Sequence, residues 1–562
     1  MLNSLSRGTG NFGSETRTVS PQAAKAGKSA WRRLFSLVQS LDLLDEGKHL
    51  QTGQSQPLNI AEIRVGPGRV GLAACPGKTE GGVIGDPRRR DLGTDISTIR
   101  QWGADAVVSL VEEREMEALG VPHLGSEVSR AGMIWHHLPI ADFAAPDIGT
   151  VKAWAALSPV LHQTLDRGGR VLFHCRGGRG RSGMIAALLL IERGEPWSVA
   201  IRWVREIRPG AIETAVQEKF LEGQAGPGDR RTELTRASLF GGAIGDALGA
   251  EIEFWPLAEI LDRFPGGVDD LLAHQGRVGA ITDDTQMTLF TAEGLLRALN
   301  RAFEKGICYP PGIVHHALLR WFATQGGAPR MQIDGTGLVA DRRLHLRRAP
   351  GNTCMSSLAA AEHFGEVARN RSKGCGTIMR VAPIALMAGY RGDRRELAVQ
   401  TSALTHGHPT GQEAAAAWAM ILSDVLEGWG LRDAANAAPG KFGGETATSI
   451  RAALSAPGDG TPQTIEALGG GWVAEEALSI ALYAALNSGS FEEGLRIAVT
   501  HSGDSDSTGA IAGNLLGLLY PNEVMRHPWR REIECADLIC RLARDLADEG
   551  TDVVDSERYP GW

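Results

Sequence analysis

The chain has 562 residues, 43% of them apolar, and a formal net charge of −8 from 58 Lys and Arg against 66 Asp and Glu. That length suits two to four domains of roughly 150 residues each. The acidic balance gives no support for general nucleic-acid binding, and no run of about 18 apolar residues offers a membrane span. No apolar segment of the secretory kind stands near the start. The seven cysteines (Cys75, Cys175, Cys308, Cys354, Cys375, Cys535, Cys540) are scattered, with no zinc spacing, so a reducing, cytoplasmic setting is expected.

Residues 1–55 are rich in Ser, Gly, Thr and Gln and read as a disordered leader, with one short amphipathic stretch at Trp31–Val38. Over 58–221 two patterns alternate. Strand-like runs fall at Val70–Ala74, Ala106–Leu110, Met133–Pro139 and Val171–His174. Helical runs fall at Ile96–Trp102, Val151–Leu165, Met184–Arg193, Ser198–Glu206 and Thr214–Leu221. The alternation predicts a layered α/β domain with a mostly parallel sheet. Residues 222–231 break both periodicities and read as a linker. From 232 to 550 the periodicity is helical: Leu234–Leu248, Gln286–Phe303, Ile313–Ala323, Gly411–Leu426, Ala474–Leu486, Phe491–Thr500, Gly509–Leu519 and Glu532–Asp548. Small residues are frequent there and permit close helix packing, so an all-α domain is expected, with a tail at 551–562.

The fourth predicted strand runs into His174-Cys175-Arg176-Gly177-Gly178-Arg179-Gly180-Arg181-Ser182-Gly183, and a helix follows. A strand feeding a glycine-rich turn and a helix N-terminus makes an anion nest of inward N–H groups. A Cys there is expected to ionise readily. Arg181 can bind two phosphate oxygens, and Ser182 can donate to the thiolate. These residues match the His-Cys-x5-Arg-Ser loop, and the domain resembles the protein tyrosine and dual-specificity phosphatases. Pro76-Gly77-Lys78, Arg90-Asp91-Leu92, Trp102-Gly103-Ala104 and His137-Leu138-Pro139-Ile140-Ala141-Asp142 point to the cyclin-dependent-kinase-inhibitor-3-like group. The resemblance implies a general acid, for which Asp142 is favoured over Asp147; the latter stands where an N-cap for the following helix is also expected. Phe143-Ala144 departs from the Gly-Gly common after that acid.

The second domain carries separated pairs of carboxylates among hydroxyls: Thr282-Asp283-Asp284-Thr285 and Asp504-Ser505-Asp506-Ser507. Buried like charges call for a cation, and a set of hard oxygens suits Mg²⁺, Mn²⁺ or Ca²⁺. Gly-Asp246-Ala-Leu-Gly…Glu253, Gly374-Cys375-Gly376-Thr377-Ile378-Met379-Arg380 and Thr405-His406-Gly407-His408-Pro409 complete an ordered series. Together these motifs resemble the ADP-ribosylglycohydrolase family over roughly 232–550. The resemblance implies an all-α fold and two Mg²⁺ ions, Mn²⁺ being the alternative, held by Thr282, Asp283, Asp284, Asp504, Asp506 and Ser507. It places Glu253 as a ligand or general base, and Gly374, Gly376 and His406 at the nucleotide. Asp246 and His408 read as structural, as does Asn352 in its turn. Arg380 stands open between a phosphate contact and a structural bridge.

The expectation is a bifunctional hydrolase. A cysteine phosphatase acts on phosphorylated protein or metabolite, and a metal-dependent hydrolase removes ADP-ribose from modified proteins or related derivatives. Nucleic acid and membrane are not expected as partners. Two rivals stand beside it: a phosphatase targeted by a non-catalytic ADP-ribose-binding module, and a Cys175 loop that only reads phosphate.

Overall fold

The structure is a computed structural model that describes residues 58–79, 90–224, 230–390, 392–548 and 554–561. The leader, with Trp31–Val38, lies outside the described residues, as does 225–229 of the expected linker.

The first domain is built on five strands: β1 (Ala61–Val65), β2 (Gly68–Ala74), β3 (Ala106–Ser109), β4 (Ile134–His137) and β5 (Arg170–Cys175). Their order in the sheet is β1-β2-β5-β3-β4, parallel except for the antiparallel β1–β2 pair. Helices α1 (Leu92–Trp102), α2 (Glu113–Ala118), α3 (Leu124–Arg130), α4 (Ile148–Asp166), α5 (Gly180–Glu192), α6 (Trp197–Ile207) and α7 (Ala215–Gln224) cover both faces. Alternation along β5 serves the two cores in turn: Val171 and Phe173 pack with α4, α5 and α6, whereas Leu172 packs with α1 and α3. The predicted elements appear with shifted ends: β3 and β4 are shorter, while α1 and α4 start three or four residues earlier, each behind an Asp cap; Asp91 accepts the Thr94 amide at 2.7 Å ahead of α1. Strand β1 went unpredicted. It is an edge strand with Glu62 and Arg64 in its middle, and its apolar alternation is short. Helices α2 and α3 span only six and seven residues, too few for a periodic signal.

The second domain is helical apart from a small hairpin, β6 (Ala273–His274) and β7 (Arg277–Val278). Its turn has positive φ at Gln275 (48°) and Gly276 (81°), as a tight hairpin of this hand requires. The longer helices are α8 (Arg230–Gly249), α9 (Asp283–Lys305), α10 (Pro310–Thr324), α11 (Arg394–Ala403), α12 (Pro409–Leu426), α13 (Gly444–Ser455), α14 (Ala474–Leu486), α15 (Ser505–Leu519) and α16 (Ala536–Ala547). Residues 554–559 pack back on α9, where the Asn300 amide donates to the carbonyls of Val554 and Tyr559 at 2.7 Å each.

Helices α8 and α15 cross backbone to backbone. Gly241 faces Gly513, Gly245 faces Gly509 and Gly249 faces Ser505, an antiparallel series at four-residue spacing. A Cβ on Gly245 would lie 1.9 Å from the Gly509 carbonyl oxygen, and one on Gly249 2.2 Å from that of Ser505. Glycine is therefore required at both, for space and not for φ. This contact sets the N-terminus of α15 beside the C-terminus of α8.

Gly245→Ala is expected to destabilise the protein by about 3 kcal/mol or more, because backbone cannot yield as a side chain does. Gly223→Ala, in α7 with nothing within 4 Å of its Cβ position, is expected to be neutral or to stabilise by up to ~1 kcal/mol. Urea unfolding of the two full-length variants checks the contrast; equal midpoints would contradict it.

Candidate active sites

Strand β5 is central in its sheet, so Cys175 emerges at the carboxyl edge between β2 and β3. The loop then turns through Gly178 at φ +69°, where a Cβ would meet the Ala73 backbone at 2.4 Å. Helix α5 begins at Gly180 and brings Ser182 under the sulfur, with Cys175 Sγ and Ser182 Oγ 3.4 Å apart. Arg208, unmarked in the sequence, braces the loop by donating to the Gly178 carbonyl at 2.9 Å. Beneath the loop, His174 Nε2 lies 2.6 Å from Ser109 Oγ, which accepts from Trp135 Nε1 at 2.8 Å. Burial pulls the His174 pKa down to about 3, so the ring is neutral and shares one proton with the Ser109 hydroxyl across this contact.

Arg181 is only 1% exposed and already held. Glu115 takes it in a two-pronged pair at 2.6 and 3.0 Å, and its Nη1 donates to the Ile140 carbonyl at 2.8 Å. Glu115 sits on α2, a helix too short to be read from sequence, and no spacing tied it to Arg181. Asp142 Oδ1 lies 2.9 Å from Arg181 Nη2, and Oδ2 lies 3.8 Å from Arg176 Nη1. Asp147 is committed elsewhere: its carboxylate caps α4, accepting the Thr150 amide at 2.7 Å, and that bond lowers its pKa. Phe143 takes φ +59°, the left-handed conformation that glycine adopts freely, and its carbonyl accepts from Thr214 Oγ1 at 3.1 Å.

In the second domain, α9 starts at Asp283 with Thr282 as its N-cap, so Asp283 and Asp284 stand on its first turn. Asp246, read as structural, lies inside α8 and turns its carboxylate to the start of α9. It caps α9, accepting the Thr282 amide at 3.0 Å, the Thr285 amide at 3.1 Å and the Thr285 hydroxyl at 2.5 Å. The α8–α15 crossing delivers the remaining acids. Carboxylate oxygens of Glu253, Asp504 and Asp506 lie within 4.8 Å of one another.

No ion pair neutralises Glu253, Asp283, Asp284, Asp504 or Asp506 among the described residues, and Asp284 Oδ1 is buried without a hydrogen-bond partner. Burial and mutual repulsion raise their protonation ranges. Glu253 is pushed up to about 8 and Asp504 to about 6, with Asp283, Asp284 and Asp506 well above the usual carboxylate range. An orphaned oxygen amid uncompensated acids and hydroxyls fits one or more hard divalent cations. Ser507 Oγ lies 3.6 Å from Cys375 Sγ, and the Cys375 thiol donates to Asp504 Oδ2 at 2.8 Å. This soft neighbour of the acids was not singled out in the sequence.

Gly374 and Gly376 lie directly over His406. A Cβ on Gly374 would lie 3.2 Å from His406 Nε2, and one on Gly376 3.0 Å from His406 Cε1. His406 is 1% exposed, bonds Thr405 through Nδ1 at 2.8 Å, and is pulled down to a pKa of about 3 by burial. The structure thus places His406, expected at the nucleotide, beneath the Gly374–Gly376 turn. Arg380 resolves as a structural brace, donating to the carbonyls of Gly376 and Thr401 and to Thr405 Oγ1. His408 caps α12. A separate cavity of about 710 Å³ lies between the domains, lined by Trp154, His162, Glu192, Arg236 and Arg541 among others, and none of the residues at either site lines it.

Residues 227–554, more than half of the chain, match the family model described as ADP-ribosylglycohydrolase. Residues 85–221 match the model described as the Swiss Army Knife protein, DSP-PTPase phosphatase domain. Cyclin-dependent kinase inhibitor 3 of Rattus norvegicus is 33% identical over 155 residues, 27% of this chain and 69% of that protein. The ADP-ribosyl-(dinitrogen reductase) glycohydrolase of Rhodospirillum rubrum is 25% identical over 311 residues, 53% of this chain and 89% of that one. The ADP-ribosylarginine hydrolase Tri1 of Pseudomonas putida is 25% identical over 356 residues, 61% and 85%.

The acids also set a pH dependence. A carboxylate whose folded pKa is raised keeps a proton that the unfolded chain releases, so stability falls as pH climbs towards that pKa. Buried neutral histidines (His174, His315, His316, His406, His501), with pKa values of about 3 to 4, act oppositely, but only below the unfolded value of about 6.5. In EDTA the melting temperature is therefore expected to fall between pH 7 and about 8.5, driven by Glu253 and its neighbours, and Mg²⁺ is expected to remove that slope. Melting curves across this range check it; a flat or rising trend in EDTA would contradict it.

Proposed function

We propose that this chain, which belongs to the ADP-ribosylglycohydrolase family through residues 227–554, removes ADP-ribose from modified protein side chains in a divalent-metal-dependent reaction, and that its first domain cleaves phosphate monoesters through Cys175. The observation that carries the first half is the gathering of Glu253, Asp283, Asp284, Asp504 and Asp506 without an internal cation. Arginine is the favoured linkage, on the strength of the relative named for ADP-ribosylarginine; serine is the alternative.

Thr282, Asp283, Asp284, Asp504, Asp506 and Ser507 would hold two Mg²⁺ ions, or Mn²⁺. Bound there, the cations supply Lewis-acid polarisation and help to activate water. The chain's own part is positional. Asp246 fixes the turn that presents Asp283 and Asp284. Burial and the neighbouring acids push Glu253 up to about 8 in the absence of cations; its carboxylate, favoured beside bound cations, is the form that can accept a proton from the attacking water. The glycosidic bond breaks through an oxocarbenium-like state, and its electron pair leaves with the side-chain nitrogen. Gly374 and Gly376 form the turn where substrate phosphate could approach the backbone.

In the first domain the Cys175 thiolate attacks phosphorus, forming a sulfur–phosphorus bond as the ester oxygen departs. Asp142 gives that oxygen a proton, and Arg181, aligned by Glu115, binds the equatorial oxygens. Ser182 donates to the sulfur when water later displaces it. Phosphorylated protein or a phosphorylated metabolite is the substrate class.

The decisive assay is ADP-ribose release from Arg- and Ser-modified peptides, with Mg²⁺ or EDTA. Release that EDTA and Asp283→Ala both abolish is expected; binding of ADP-ribose without release would replace this reading with the binding module. For the phosphatase, Cys175→Ser should remove activity on p-nitrophenyl phosphate. Asp142→Asn is expected to slow phosphotyrosine hydrolysis by roughly 10²–10⁴-fold. Asp147→Ala should leave the rate within about twofold and lower the melting temperature slightly as a lost cap. A reversal of the last two would make Asp147 the acid.

A further inference from the structure

Asp166 closes α4 of the first domain, yet its carboxylate is buried among groups of the second. Oδ2 lies 2.7 Å from Arg343 Nη1 and accepts the Cys535 amide at 3.2 Å. Oδ1 lies 2.9 Å from Arg193 Nη2, in its own domain, and 3.5 Å from Arg277 Nη2. The Asp166 backbone carbonyl also accepts from Arg277 Nη1. Arg343 turns its other edges to Asp537, at 2.6 and 3.0 Å, and to Asp341 at 2.7 Å.

From Arg277 the chain of contacts runs to the candidate metal turn. Arg277 Nε lies 3.9 Å from Glu534, and Glu534 lies 3.3 Å from Arg348 Nη2. The Glu534 amide holds the Gly279 carbonyl at 2.9 Å. Arg348 Nη1 donates to the Ile281 carbonyl at 3.2 Å, and its own carbonyl accepts the Asp283 amide at 3.2 Å. Gly279 is docked hard against the same segment: at φ +72°, its Cβ position lies 2.3 Å from the Glu532 carbonyl oxygen. Every link between Asp166 and Asp283 is thus an ion pair, a hydrogen bond or the covalent chain.

Four guanidiniums (Arg193, Arg277, Arg343, Arg348) meet four carboxylates (Asp166, Asp341, Glu534, Asp537), and none of these side chains is more than 12% exposed. The count balances only with Asp166 present. Neutralising it leaves a buried positive excess on Arg277 and Arg343, which are held at one end of the turn that carries Thr282 and Asp283.

We propose that Asp166 is a positioning residue for the second site: the first domain supplies the anion that, through Arg277, Glu534 and Arg348, fixes the 277–284 turn, so that the hydrolase centre is completed across the domain boundary. The link to catalysis rests on the function proposed above; the link to the turn does not.

The test uses full-length Asp166→Asn, which keeps the shape and removes the charge. Amide hydrogen exchange is read in EDTA. Exchange over 277–286 is expected to quicken at least tenfold, while β2–β5 and α14 keep their wild-type protection. Mn²⁺ affinity, titrated calorimetrically, is expected to weaken by about 10- to 100-fold, the range for outer partners of metal ligands. The p-nitrophenyl phosphate rate should stay within twofold. Unchanged exchange over 277–286, or acceleration spread evenly over both domains, overturns the proposal, the second result making Asp166 simple interface glue. Should Asp166→Asn fail to fold, Arg348→Gln breaks the same chain from the far side and must loosen the same segment. Because exchange is measured without metal, a wild type that binds no Mn²⁺ or releases no ADP-ribose would refute the functional reading and leave this result standing.

Discussion

The contact of α8 with α15 is the constraint on which the second site depends. Two helices ordinarily stand apart by the depth of their side chains; here Gly241, Gly245 and Gly249 meet Gly513, Gly509 and Ser505 with nothing between the backbones. Direction matters as much as closeness. An antiparallel crossing at this register brings Glu253, just beyond the end of α8, to Asp504 and Asp506 at the start of α15. From the middle of α8, Asp246 reaches across to cap α9. Acids some 250 residues apart converge because two glycine faces leave the helices no other way to close.

Chemistry-bearing residues were legible in the sequence where a motif packs several of them into one short stretch. His174 to Gly183 carries strand end, turn and helix start together, and the structure builds them in that order. Asp283-Asp284 and Asp504-Ser505-Asp506 could be matched as a pair only through their separate motifs. Partners that act from afar left no mark. Glu115 holds Arg181 across 66 residues of chain, and Cys375 donates to Asp504 across 129. His406 was marked by its Thr-His-x-His-Pro context, and its depth beneath the glycine turn left no mark in the sequence. Gly374 and Gly376, some thirty residues earlier in the chain, leave the room above its ring. Strand β1 and helices α2 and α3 are too short, or too charged at an edge, to show a period, and they owe their form to the sheet they complete.

Phe143 illustrates how a departure from a family pattern is absorbed. The turn after Asp142 demands positive φ, and Phe143 meets it at +59° where glycine would do so without strain. The Thr214 hydroxyl bonds the Phe143 carbonyl, and Gln217 bonds that of Ala144 at 3.3 Å. The start of α7 therefore holds the segment that carries Asp142, and the Phe143 side chain is left 59% exposed.

Two buried charge clusters in one molecule follow opposite rules, and the contrast separates structure from function. At the domain boundary four guanidiniums answer four carboxylates, and two of those acids respond as paired groups: arginines hold Asp166 down to about 2 despite full burial and lower Asp537 as well, whereas burial still raises Glu534. Around Asp283 and Asp506 no guanidinium among the described residues makes an ion pair, and burial drives these acids the other way. Arg348 makes the difference concrete. It lies within reach of that turn, yet it spends its charge on Glu534 and its donors on the Ile281 carbonyl, holding the backbone while leaving the carboxylates unanswered. The boundary cluster thus brings eight opposite charges into register, whereas Arg348 stands beside the turn that carries Asp283 and leaves its carboxylates without an ion pair.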